Sequence, residues 1–186
     1  MRRSFLLGLC LSLAGSPVAA QATTVILVRH AEKADTTADP ALSEAGVSRA
    51  RALAHGLARF PLAAIYVSEY RRTALTAQPV AAVLHLSPIA VPVGQDPHAQ
   101  AQAIRTAVGL LPRGSAALVV GHSNTLPGII QALGGPPIDN LCDAEYATMF
   151  VLELPGGGLP PRLLRTGYGP PNPPDAQGCL QRMQLE

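Results

Sequence analysis

The stretch Val25-Ile26-Leu27-Val28-Arg29-His30-Ala31-Glu32-Lys33 decides how the chain is read: four β-branched or leucine side chains end abruptly in arginine, histidine and a Glu-Lys pair. An apolar run of this kind, closed by polar residues, reads as a strand buried on both faces. Arg29 and His30 then sit where the strand leaves the sheet, the place where open α/β sheets keep their ligands. A guanidinium there offers a planar fork of donors suited to phosphate oxygens, and an imidazole beside it can attack phosphorus or hold a proton near neutral pH. Taken alone, the pair could equally be an ion-paired arginine and a histidine that closes the strand. A second arginine and a second histidine at comparable edges would separate the two readings.

Working outward, the rest of the chain supplies them. Ser43 reads as the N-cap of a helix that runs to about Arg59, with Val47, Ala50, Ala54 and Leu57 as its apolar face and Arg49, Arg51 and Arg59 as its solvated side. Pro61 ends it. Ala64 to Val67 is a second strand, and Ser68 to Thr73 stands at its end before a helix to about Leu86 that contains Pro79. Ser87 to Val93 is a proline-interrupted edge element, and His98 to Leu111 an Ala-rich helix. Ala116 to Val120 is the clearest buried strand after the first. It runs into Gly121-His122-Ser123-Asn124-Thr125, with Pro127 in the first turn of the next helix, so backbone N–H groups are expected to face that junction. Met149 to Leu154 and Arg162 to Arg165 read as the last strands, joined through Gly156-Gly157-Gly158.

A chain of 186 residues supports one sizeable core and not two. With 14% charged residues, 4% aromatics and a net charge of +2, it has neither the basic stripe nor the stacking platform of a nucleic-acid binder. Met1-Arg2-Arg3, the apolar stretch Phe5 to Leu13 and Ser16-Pro17-Val18-Ala19-Ala20 read together as a signal peptide, residues 1–20, cleaved after Ala20 or Ala22. Its apolar run is too short to span a bilayer, so no membrane span is expected after cleavage and the protein is expected to be exported, periplasmic or secreted. Cys10 falls inside this leader. Cys142 and Cys179 remain as an even pair, and a disulfide between them is expected in an oxidising compartment. Residues 21–168 then form the domain, and 169–186 a Pro-rich tail.

Three strand ends now carry Arg29-His30, Ser68 with Arg72, and Gly121-His122. With Thr76-Ala77 and Ser123, these motifs resemble those of the histidine phosphatase superfamily, also called phosphoglycerate mutase-like, in the expected order and over most of the mature chain. The resemblance implies a three-layer α/β/α sandwich with a mostly parallel central sheet, and phosphomonoester hydrolysis through a phosphohistidine without metal or other cofactor. On this pattern His30 is the nucleophile, Arg29 and Arg72 clamp the phosphate, His122 is the second pocket histidine and Ser68 lies at the phosphate. The attacking ring must be neutral at one nitrogen, so its other nitrogen is expected to donate to a backbone carbonyl or a carboxylate, with Glu32 as a partner. Ala31 stands where relatives often carry glycine. The residue that protonates the leaving oxygen is nominated as Asp96, which is also well placed to form a turn before Pro97, with Asp35 in reserve. His55, His85 and His98 read as surface or capping residues, and Arg71 as a solvent-facing neighbour of Arg72. Rival readings are a non-catalytic phosphate- or phosphoprotein-binding module and, among enzymes, a phosphomutase; the expected substrate is a small phosphoester, otherwise unidentified.

Overall fold

The computed structural model describes residues 22–172; the expected signal peptide, most of the tail and Cys179 lie outside the described residues. Strand β1 (Thr23–Arg29) is followed by helix α1 (Glu44–Leu57), β2 (Leu62–Val67), α2 (Arg71–Leu84), β3 (Ile89–Ala90), α3 (Pro97–Gly109), β4 (Ala116–Gly121), α4 (Leu126–Ala132), β5 (Thr148–Leu154) and β6 (Arg162–Gly167). The strands form one sheet in the order β3-β2-β4-β1-β5-β6. The first four in that order run parallel, and β5 and β6 are added antiparallel as a hairpin.

Period-two alternation along β1 distributes its side chains to two cores. Val25 and Leu27 join Ile104, Leu126, Ile129 and Ile130 on the α3–α4 face, while Ile26 and Val28 join Leu53, Leu57, Ala77 and Val80 on the α1–α2 face. The sheet is therefore the middle of three layers, and its parallel strands are buried on both sides as their apolar runs require. Because β1, β2 and β4 are parallel neighbours, their C-terminal ends lie on one edge. Arg29 is in register with Gly121 of β4, and Val67 with Val120. That register brings together the three polar segments that follow these strands.

Helix α1 departs from expectation in its orientation. Ser43 caps it as anticipated, its hydroxyl accepting the Gly46 N–H at 3.1 Å. The buried stripe, however, is Gly46, Arg49, Ala50, Leu53, Ala54 and Leu57, and Val47 is exposed. Gly46 is the reason: a Cβ there would lie 2.3 Å from the Glu32 carbonyl oxygen, so the helix meets the post-β1 segment at closest range on that face. Arg49, expected on the solvated side, is only 1% exposed. Its Nη2 donates to Glu32 Oε1 at 2.7 Å and its Nη1 to the Pro170 carbonyl at 2.7 Å, so the buried charge is paired and hydrogen-bonded.

Candidate active site

His30 leaves β1 with its backbone N–H donating to Gly121 O at 2.9 Å, which fixes it beside the end of β4. The next N–H, of Ala31, donates to Thr76 Oγ1 at 2.9 Å, and that hydroxyl donates to Arg72 O at 2.7 Å. The first turns of α2 are thereby tied to the same strand end. The imidazole is 4% exposed, and its Nδ1 lies 2.8 Å from Ala31 O. A carbonyl only accepts, so Nδ1 carries the proton and Nε2 keeps its lone pair. Glu32, expected as a partner of this ring, is instead turned to Arg49. Burial first, then the charges of Arg29 and Arg72 with the nearby His122 ring, push the His30 pKa down to about 3, despite the opposing bond to Ala31 O. The ring is neutral at physiological pH.

His122 follows β4, with its ring centroid 5.3 Å from that of His30. Its tautomer follows from its partners. Arg72 Nη2 approaches Nδ1 at 3.4 Å and can only donate, so Nε2 bears the hydrogen and donates to Ser68 Oγ at 2.9 Å. The Thr73 hydroxyl donates to Tyr70 O at 2.8 Å and so accepts from Ser68 Oγ at 3.0 Å. A directed chain thus runs from His122 through Ser68 and Thr73 to a carbonyl, every member satisfied. Burial, and then the charge of Arg72, lower the His122 pKa to about 4, against the opposing charge of Glu69. Ser68, nominated for phosphate contact, orients the His122 ring in this structure.

Two guanidiniums flank the rings. Arg29 Nη1 donates to Cys142 O and Asp143 O, each at 2.7 Å, and its Nη2 lies 3.8 Å from Asp143 Oδ1. Arg72 stacks over the Tyr70 ring at 4.2 Å, and its Nη1 lies 4.0 Å from Asp39 Oδ1. The Nε–H groups of both arginines are buried without a hydrogen-bond partner among the described residues. Buried guanidinium donors left over in this way call for an acceptor from outside. A cluster of two arginines, two neutral imidazoles and spare N–H donors has the chemistry to receive a tetrahedral oxyanion.

The other nominees are placed differently. Asp96 caps α3, its Oδ1 accepting the His98 N–H at 2.9 Å, which is the turn role weighed from the sequence. Asp35 is fully exposed and bonded to Thr37. Asp39 and Asp143 are the carboxylates in ion-pair contact with the two arginines. His55, His85 and His98 are exposed, and so is Arg71, whose N–H donates to Asp39 Oδ1 at 2.9 Å. Of the N–H groups at the start of α4, those of Thr125 and Leu126 donate to His122 O, and that of His122 donates to Thr125 Oγ1. Sequence reasoning missed Tyr146, whose ring lies 4.3 Å from the Arg29 guanidinium carbon and 6.2 Å from the His30 ring. It also missed Tyr70, Thr73 and Glu145. All but Thr73 sit in irregular segments, where no periodicity marks a buried position. A cleft of about 380 Å³ at the opposite end of the sheet is lined by Thr23, Arg105, Arg113, Leu133, Leu154 and Leu159 among others, and holds no histidine or carboxylate.

Fold and site together define a three-layer α/β/α protein of the phosphoglycerate mutase-like class, with a histidine pair at the C-terminal sheet edge. Residues 25–98, which carry Arg29, His30, Ser68 and Arg72, match the family model of the histidine phosphatase superfamily (branch 1). The family match thus supports, over residues 25–98, the superfamily resemblance read from the motifs. Among solved structures, a mycobacterial hydrolase is similar at 17% identity and a TM-score of 0.64, covering 81% of this chain and 100% of its own. Mycobacterial glucosyl-3-phosphoglycerate phosphatase is similar at 17% identity and a TM-score of 0.60, with coverages of 81% and 100%. A protein described as the phosphohistidine phosphatase SixA of Nakamurella multipartitia is similar at 24% identity and a TM-score of 0.54, with coverages of 81% and 98%. No curated protein sequence matches the chain significantly.

Proposed function

We propose that the chain is a phosphomonoesterase that works through a phosphohistidine at His30, on a phosphoester still to be identified. The observation that carries this reading is the state of the His30 ring: neutral, with Nδ1 bonded to Ala31 O and Nε2 unprotonated, within the field of Arg29 and Arg72. In the first step Nε2 attacks phosphorus, the P–N bond forms, and the ester P–O bond breaks with its electron pair leaving on oxygen. Arg29 and Arg72 hold the equatorial oxygens, and water then attacks the phosphohistidine, releasing phosphate and restoring the ring. Asp96 and Asp35 carry over as nominees for the leaving-group proton, and Asp39 joins them by its contact with Arg72. The cationic lining favours a mechanism without a divalent metal, since two guanidiniums repel one.

Proteins of the same fold give further support. A SixA protein histidine phosphatase has been solved with tungstate, and the mycobacterial phosphatase with VO3 and with inorganic phosphate. Export is part of the proposal: it rests on the leader, and the disulfide at Cys142 suits an oxidising compartment. Cys179, its expected partner, lies outside the described residues. The test is hydrolysis of p-nitrophenyl phosphate by the purified protein with chelator present. Turnover that orthovanadate inhibits supports the reading, and vanadate binding without turnover replaces it with a phosphate-binding module.

A further inference from the structure

The least expected charge near the site is Glu145, wholly buried in the segment between α4 and β5. A carboxylate survives burial only when paired and fully hydrogen-bonded. Its Oε1 accepts Arg165 Nη2 at 2.5 Å and also the Thr148 hydroxyl, and its Oε2 accepts the Cys142 backbone N–H at 3.4 Å. The Glu145 backbone N–H returns to Cys142 O at 2.9 Å. The carboxylate therefore closes the turn from Cys142 to Glu145 upon itself.

The product of that closure is a row of carbonyls aimed at one group. Arg29 Nη1 donates to Cys142 O and Asp143 O at 2.7 Å and reaches Glu145 O at 3.4 Å. Tyr146, the next residue, lays its ring against the guanidinium at 4.3 Å. A guanidinium is planar, so fixing Nη1 and one face fixes the direction of every other donor. Nε, buried and without a partner among the described residues, is open to a ligand.

We propose that Glu145 is a positioning residue: it sets the turn that orients Arg29, so that the guanidinium meets the phosphoryl group already aligned. This rests on the reading of Arg29 as a phosphate ligand given above. Preorganised donors of this sort lose nothing to reorientation when the charge arrives.

The experiment compares wild type, Glu145→Gln, Arg29→Met and the double variant by orthovanadate affinity, together with a crystal structure of Glu145→Gln. Glutamine keeps the volume, but when its oxygen serves Thr148 and Arg165 its NH2 faces the Cys142 N–H donor to donor. The expected result is vanadate binding weaker by about tenfold in Glu145→Gln, with no further loss when that change is added to Arg29→Met. In the crystal structure Arg29 is expected to leave Cys142 O and Asp143 O. Thr148→Val, which keeps the carboxylate and its arginine, is expected to shift affinity less in the same direction and serves if the glutamine variant does not fold. Losses that multiply in the double variant, or an Arg29 unmoved in the Glu145→Gln structure, overturn the proposal. A wild type that neither binds vanadate nor hydrolyses aryl phosphate ends the functional reading instead, while the position of Arg29 in the variant still decides the link to Glu145.

Discussion

Lowering the pH from 7 to 5 is expected to remove about 4 kcal/mol of folding stability, nearly all of it through two rings. His30 and His122 are held neutral in the fold, with pKa values pushed down to about 3 and about 4. In the unfolded chain each titrates near ~6.5. Between these limits the unfolded state binds two more protons, so stability rises with pH across the window and falls as the solution is acidified. At pH 5 protonation stabilises the unfolded chain by about 2 kcal/mol per ring, against almost nothing in the fold. Glu69, also depressed, is partnered by the Val93 and Gly94 N–H groups and contributes its loss only at lower pH, where carboxylates protonate. Urea unfolding followed by circular dichroism at the two pH values reads the difference directly, and His122→Asn is expected to halve it. Equal midpoints at pH 7 and pH 5 with an unchanged slope, or a full pH dependence retained by His122→Asn, would refute the argument.

Other outcomes follow from single contacts. Arg72→Lys keeps a charge but loses both the planar fork and the stacking on Tyr70, so phosphate affinity is expected to fall by about tenfold or more, read as the vanadate inhibition constant. Gly46→Ala would place a Cβ 2.3 Å from Glu32 O, and is expected to cost about 1–3 kcal/mol by thermal or urea unfolding; a neutral effect would show that α1 is free to shift. In Glu32→Gln the buried Arg49 loses its charged partner while retaining carbonyl acceptors, and an unfolding free energy lowered by about 3 kcal/mol is expected.

The parts of the fold visible in the sequence were those set by local pattern. The apolar runs of β1 and β4, the Ser43 cap and the proline-broken edge at β3 each follow from residues within a few positions of one another. The convergence of Arg29, His30, Arg72 and His122 was legible because three strand ends carried them and parallel strands share an edge. What escaped was set by distant partners. The arginine at position 49 lies in an apolar stripe, and only Glu32 and the carbonyls of Tyr168 and Pro170 explain why its charge can be buried there. The same holds for Glu145 and Tyr146: their turn has no periodicity, and its function is apparent only from the arginine it receives across 116 positions of chain. At α4 the N–H groups of Thr125 and Leu126 turn back on His122 O and that of His122 on Thr125 Oγ1, a closure that composition did not announce.

The most direct measurement is of the intermediate itself. Wild-type protein mixed with a 32P-labelled phosphomonoester and quenched in alkali is expected to carry label that is stable to base, lost in acid and located on His30, and His30→Ala is expected to show neither label nor turnover. Undiminished hydrolysis by His30→Ala, or label that survives acid on another residue, would contradict the assignment of His30 as nucleophile.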